Sequence, residues 1–203
     1  DIERGRATGI LDRPWQTDTC IGDWHYKRSL FEEHKYKKPK LVIQQLIDIV
    51  SKNGNLLLSI PLRGTGAIDE DEHAFLKDLA SWMKVNGEAI YSTRPFLTFG
   101  EGLPDVQKSS DFNEMRARPF TAEDIRFTTK GDTLYAFALD WPEGNSLMIK
   151  TLTRNRAEYP RPIRSVELLG SDGRLEFTQN ENGLSIKLPQ SKPNPFAYAF
   201  RIR

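Results

Sequence analysis

The chain has 203 residues with 38% hydrophobic content, enough to bury one good core or two small ones. Its 29 Lys+Arg stand against 28 Asp+Glu, a formal net charge of +1 with no block of five or six like charges, which argues against nucleic acid as a partner. Cys20 is the single cysteine, which excludes an internal disulfide and a cysteine-rich metal site, and no apolar run is long enough to span a bilayer as a helix.

Residues 1 to 37 are rich in Arg, Asp, Gly and aromatics without sustained periodicity, and read as loop with one short strand. From Pro39 the pattern becomes helical: Val42, Ile43, Leu46, Ile47, Ile49 and Val50 recur at three- and four-residue spacing and stop at Asn53-Gly54. The run Asn55-Leu56-Leu57-Leu58-Ser59-Ile60-Pro61 follows, a short apolar stretch expected to be a parallel strand covered on both faces. A second helix is predicted from about Asp69, which caps it with Glu72 completing a box-like start. Phe75, Leu76, Leu79, Trp82 and Met83 form its apolar stripe, and Asn86-Gly87 ends it.

The order helix, buried strand, helix is a fragment of a βα-repeat fold, whose strand edges need partners from elsewhere. Phe96 to Pro119, with its Gly, Pro and Ser, reads as a linker. Beyond it, short alternating segments are separated by turns at Lys130-Gly131-Asp132, Pro142-Glu143-Gly144-Asn145, Gly170-Ser171-Asp172-Gly173 and Asn180-Glu181-Asn182-Gly183. Strands are expected at Leu134 to Leu139, Leu147 to Leu152, Val166 to Leu169 and Leu184 to Leu188. In the last strand Phe196, Tyr198, Phe200 and Ile202 lie on one face, and Ala197, Ala199, Arg201 and Arg203 on the other.

Three stretches carry a resemblance. Pro14-Trp15-Gln16-Thr17-Asp18-Thr19-Cys20-Ile21-Gly22-Asp23-Trp24-His25-Tyr26 is similar to a segment of the family-29 glycoside hydrolases, the α-L-fucosidases, in which a Trp-Glu/Gln-Thr stretch precedes an aromatic-X-Tyr triplet. Asp48-Ile49-Val50-Ser51-Lys52-Asn53-Gly54-Asn55-Leu56-Leu57-Leu58 and Asn86-Gly87-Glu88-Ala89-Ile90-Tyr91 resemble two further signatures of that family, in the same order. The half from Asp124-Ile125-Arg126-Phe127-Thr128 onward is similar to the β-domain that follows the catalytic barrel in many members. Ser59 departs from the family, which usually has Asn there, and so does the Pro61-Leu62-Arg63 turn.

The resemblance implies a fold class of α/β plus all-β. Residues 1–103 would be the end of a (β/α)8 barrel, and residues 104–203 an antiparallel β-sandwich. It also implies a retaining mechanism in which an Asp nucleophile on an earlier strand attacks the anomeric carbon while a carboxylic acid protonates the leaving oxygen, with no metal or organic cofactor. The partners implied are a fucosylated glycan substrate and an N-terminal barrel portion of the same protein. The nucleophile's motif is absent from these residues, so the chain alone is expected to be inactive. A start at Asp1 without Met fits a missing N-terminal portion or a processed end, and members of the family are commonly secreted, periplasmic or lysosomal.

By the same resemblance Glu3, at the family's spacing ahead of Trp24, is the candidate acid/base. On its own chemistry it reads instead as a solvated loop carboxylate paired with Arg4 or Arg6. Trp24 matches the aromatic that packs on the apolar side of fucose, the other reading being a core Trp. Gln16 stands where some relatives have Glu and can only hydrogen-bond. His25 and Tyr26 are expected to support Trp24, and His34 and His73 to lie on the surface. Asp69-Glu70-Asp71-Glu72 is explained by capping and the helix dipole rather than a cation site, so no metal ligands are expected. The competing reading is a carbohydrate-binding or interaction module that uses residues 104–203, and a third is another barrel glycosidase with a different sugar.

Overall fold

The structure, a computed structural model, describes residues 1–103, 110–154 and 162–203. Three parallel strands open the chain: β1 (Ile2–Glu3), β2 (Trp15–Cys20) and β3 (Gly54–Ser59), in the order β1-β2-β3. The short α1 (Arg28–Glu32) and the longer α2 (Pro39–Ser51) connect β2 to β3, and α3 (Glu70–Asn86) follows β3. The opening stretch, expected to be mostly loop, thus contributes two strands.

Local chemistry explains these elements. Pro39 stands in the first turn of α2, where its missing N–H costs nothing. After the helix, Asn53 takes the left-handed conformation (φ 70°), which satisfies the end of α2 and leaves Gly54 to begin β3. A Cβ on Gly54 would come within 2.6 Å of the Trp15 ring, so the close approach of β2 and β3 at this point requires glycine. At α3 the expected capping box forms in both directions: Asp69 Oδ1 accepts from the Glu72 N–H, and Glu72 Oε2 accepts from the Asp69 N–H.

The parallel pairing of β3 and its flanking helices match expectation, but its coverage does not. Leu56 and Leu58 pack toward the helices, whereas Asn55 and Leu57 are exposed, Leu57 by 55%, and β3 has a single neighbour, β2. Only one face of the strand has cover within these residues.

The second half holds two antiparallel sheets. One has five strands in the order β4 (Arg94–Glu101), β5 (Ile125–Lys130), β6 (Thr133–Ala138), β11 (Tyr198–Ile202), β8 (Val166–Leu168). The other has three, β7 (Ser146–Ile149), β10 (Gly183–Lys187), β9 (Phe177–Asn180). β4 corrects the expected linker: Arg94–Glu101 is a strand on the edge of the five-stranded sheet, bulged so that Gly100 lies against β5, where a Cβ would come within 2.1 Å of the Ile125 carbonyl oxygen. Residues 104–109 of that stretch lie outside the described residues, and Asn113–Arg116 form a 3-10 turn.

The five-stranded sheet is apolar on both faces. Phe127, Leu134, Ala136, Tyr198, Phe200 and Ile202 face the three-stranded sheet and share a core with its Leu147, Ile149, Leu184 and Ile186. Tyr135, Phe137, Ala197 and Ala199 face the helices and pack with Ile43 and Ile47 of α2 and Trp82 of α3. Trp82 Nε1 donates to the Ala197 carbonyl at 2.9 Å. Alternation within β6 and β11 therefore builds two cores from one sheet, with the helices as the third layer.

A buried ionic cluster joins the helical layer to this sheet. Asp48 of α2 accepts from Lys52 Nζ at 2.7 Å and from Arg126 Nε of β5 at 2.6 Å, all three side chains being almost fully buried. Phe99 of β4 lies under both cations, 4.7 Å from Lys52 Nζ and 5.2 Å from the Arg126 guanidinium. Burial would push the Asp48 carboxyl up, but Arg126 and Lys52 outweigh it and hold it below the ordinary range, whereas burial lowers Lys52. Asp48 and Lys52 come from one of the sequence signatures and Arg126 from the start of the β-rich half, so these signatures meet in a docking contact.

Candidate active site

Register and alternation decide which residues of the parallel sheet share a face. Ile2 pairs with Thr17 and Glu3 with Asp18, and Asp18 in turn pairs with Leu57. Ile2, Trp15 and Leu56 pack on the helix side with Ile49. Glu3, Asp18 and Leu57 therefore stand in one row on the opposite, uncovered face. Gln16 and Asn55, also paired, belong to that face.

Glu3 is partly buried and closes β1, in a strand rather than a loop. Its backbone is held on both sides: the N–H donates to Asp111 Oδ1 at 2.7 Å, and the C=O accepts from the Phe112 N–H at 2.7 Å. Arg4 does not pair with it. Arg4 takes a positive φ of 44° and directs Nε to Glu114 at 2.8 Å.

Trp24 lies just past the C-terminal end of β2, partly exposed and outside the four buried clusters. Its N–H donates to Asp23 Oδ1 at 2.8 Å. The preceding turn is tight, because Gly22 packs against Leu30 and Tyr36 where a Cβ would not fit. Tyr36 Oη donates to Asp69 Oδ2 at 2.7 Å, and burial followed by that carboxylate drives its pKa far above the ordinary tyrosine value. Arg63 stacks on Phe31 of α1 and donates to Tyr26 Oη and Glu70, which ties the loop after β3 to the loop after β2. His25 and His73 are exposed, and His34, also exposed, meets Asp71 at 2.7 Å. Cys20 is buried, and burial pushes its thiol up, away from reactivity.

Sequence profiles described as alpha-L-fucosidase and as alpha-L-fucosidase C-terminal domain match residues 1–88 and 118–203 respectively. The chain belongs to the α-L-fucosidase family. It is 27% identical to the tissue alpha-L-fucosidase of Mus musculus over 99% of its own length and 40% of that protein's. It superposes on the solved structure of an alpha-L-fucosidase with TM-score 0.73 at 23% identity, covering 96% of this chain and 39% of the other. It also superposes, with TM-score 0.70 at 17% identity, on a family-29 alpha-L-fucosidase from Bacteroides thetaiotaomicron described as a trapped covalent intermediate, covering all of this chain and 42% of that one. The chain thus spans about two-fifths of the length of the relatives it matches.

The similarity runs through both halves of the chain, which disfavours the reading in which the second half is a binding module with an adaptor attached. Sequence reasoning singled out Glu3 and Trp24, and the fold brings both to the C-terminal ends of neighbouring parallel strands. It missed Asp18, whose place beside Glu3 depends on the register of two strands. It also missed Glu114, which sits in the stretch read as linker and carries no local signal.

Proposed function

We propose that the chain forms the end of a (β/α)8 catalytic barrel and a β-sandwich of a longer retaining enzyme that hydrolyses terminal α-L-fucosyl residues of glycans. The boundary expected between residues 103 and 104 is moved to before β4 (Arg94–Glu101), because β4 joins the sheet of the second unit. One observation carries this reading. Glu3, Asp18 and Leu57 line a face that these residues leave open, while Trp24 stands past the same strand ends, and in barrels the inward face and the C-terminal strand ends hold the chemistry. The exposed Leu57 is then an inward-facing side chain awaiting the remaining strands.

In this reading Glu3 is the acid/base. Its carboxylic acid gives a proton to the glycosidic oxygen as the bond to the anomeric carbon breaks and a nucleophilic carboxylate from the rest of the barrel forms the glycosyl ester. The Glu3 carboxylate then takes a proton from water, which attacks the anomeric carbon and releases fucose with net retention. The covalent intermediate described for the Bacteroides thetaiotaomicron fucosidase supports this route. Two carboxyl groups suffice, so neither metal nor organic cofactor enters a step. The chain by itself is inactive, because its residues do not include the nucleophile's motif.

The test is Glu3→Gln in the longer enzyme on two substrates. Turnover of a natural fucosylated glycan should fall by about 10²- to 10⁴-fold, while an aryl fucoside, whose phenolate leaves without a proton, should lose far less. Equal losses on both substrates, or none, remove Glu3 from the role.

A further inference from the structure

Residues 111–114, which lie in sequence between β4 and β5, grip the strand that carries Glu3. Asp111 Oδ1 accepts the Glu3 N–H, the Phe112 N–H donates to the Glu3 carbonyl at 2.7 Å, and the Glu114 N–H donates to the Arg4 carbonyl at 3.1 Å. Asn113 brackets the next residue but one: its Oδ1 accepts the Arg6 N–H and its Nδ2 donates to the Arg6 carbonyl, each at 2.8 Å. These four consecutive residues satisfy both backbone groups of Glu3 and of Arg6 and the carbonyl of Arg4. They thereby supply an edge to β1, whose strand partner among the described residues is β2.

Glu114 anchors this grip. Its carboxylate, 5% exposed, accepts from Arg4 Nε at 2.8 Å, Lys37 Nζ at 2.9 Å, Thr19 Oγ1 at 3.1 Å and Gln45 Nε2 at 3.3 Å. These donors come from the residue after β1, the loop before α2, β2 and α2, so one buried carboxylate ties residue 114 to four parts of the helical half. A buried carboxylate with this many charged and polar donors is fixed in place, since releasing any donor leaves a buried group unpaired. The Arg4 backbone, at positive φ, is strained for a residue with a side chain and needs this surrounding structure to hold it.

We propose that Glu114, with Asp111, is a positioning residue of the second unit that fixes Glu3 for proton transfer. This rests on the reading of Glu3 as the acid/base. Glu114 itself lies on the helix side of β2, with Thr19, and does not share the face that Glu3 occupies. It acts through the β1 backbone: loss of its charge frees Arg4, and with it the carboxyl one residue earlier. The antiparallel half is thus part of the catalytic apparatus and not only an appended domain.

The experiment uses the longer enzyme with Glu114→Gln, which keeps shape and removes charge, and with Asp111→Ala, an exposed change at the Glu3 N–H contact. Both are measured on a natural glycan and on an aryl fucoside, in the parent and in the Glu3→Gln background. The expected result for Glu114→Gln is a kcat loss of about tenfold to a hundredfold on the glycan with KM little changed, and a much smaller loss on the aryl fucoside. Asp111→Ala should shift kcat in the same direction, and decides the matter if Glu114→Gln does not fold. In the Glu3→Gln background both effects should vanish, because the group being positioned is gone. Unchanged turnover, equal losses on the two substrates, or losses that persist in the Glu3→Gln background would each overturn the proposal. If Glu3→Gln shows no selective loss, the acid/base reading fails and takes this one with it. If Glu3→Gln shows that loss while Glu114→Gln and Asp111→Ala are silent, only the positioning role falls.

Discussion

In the proposed function Trp24 is the residue on which discrimination between sugars depends. It is large and apolar, yet the structure leaves it partly exposed beyond β2 and outside every buried cluster, so its ring is free to meet a ligand. Fucose presents a methyl where L-galactose has a hydroxymethyl, and a flat apolar ring favours the methyl while leaving an added hydroxyl poorly solvated. In the longer enzyme, Trp24→Ala is expected to raise KM for fucosides and narrow their advantage over matching L-galactosides, with circular dichroism unchanged. The expected preference from this contact is at most about a hundredfold, the usual limit for rejecting an extra hydroxyl from an apolar pocket. Retained affinity and preference, or an unfolded variant, would make Trp24 a core residue instead. Both candidate site residues were legible only through spacing relative to a family pattern. Asp18 and Glu114 were not legible even so, because a residue's neighbours across a sheet or across two units leave no mark in the local sequence.

At the scale of elements, β4 is the instructive case. Gly100, Gly102 and Pro104 gave Phe96 to Pro119 the look of a linker, but the glycine at 100 serves a bulge at which β4 closes on β5. A bulged edge strand and a loop share their composition, and pairing alone distinguishes them. The cluster of Asp48, Lys52 and Arg126 makes the same point about α2. An Asp and a Lys at i and i+4 look like a solvated helix pair, whereas here both are buried under Phe99 and share an arginine from β5. Asp48→Asn would leave two buried cations without their counter-charge and is expected to cost about 3–5 kcal/mol in urea denaturation. Replacing all three by apolar residues of similar volume should cost much less than that single change. A change of either partner in an exposed pair such as Arg28–Glu32 should shift the midpoint little.

Across the described residues, a parallel sheet with its helices and two antiparallel sheets are held together in part by buried charges, and this gives the stability a sign with pH. Burial raises the carboxyls of Asp48, Glu114 and Asp124, but in each case the facing cations and donors outweigh it and leave the group below its ordinary value of 3.8, 4.5 and 3.8 respectively. The stability they confer is fully present above those values and is lost as pH falls through the lower, folded ones. Glu72 runs the other way, since burial raises it and its contribution is lost as pH rises through its folded value. With three buried carboxylates against one, Tm is expected to fall as pH drops from about 6 to about 3, and Glu114→Gln should start lower and fall less steeply. A Tm independent of pH over that range would refute this account. The sequence by itself determined the helices α2 and α3, the capping box of α3, the parallel strand between them, the alternation of the last strand and the family, because each depends on residues within a few positions or on motifs in fixed order. The tertiary structure alone decided that β3 keeps one open face, that β4 is a strand, and that a four-residue stretch of the second half braces Glu3. Those depend on which segments distant in sequence meet, and a chain spells out its local preferences while leaving its long-range pairings to the sum of many weak contacts.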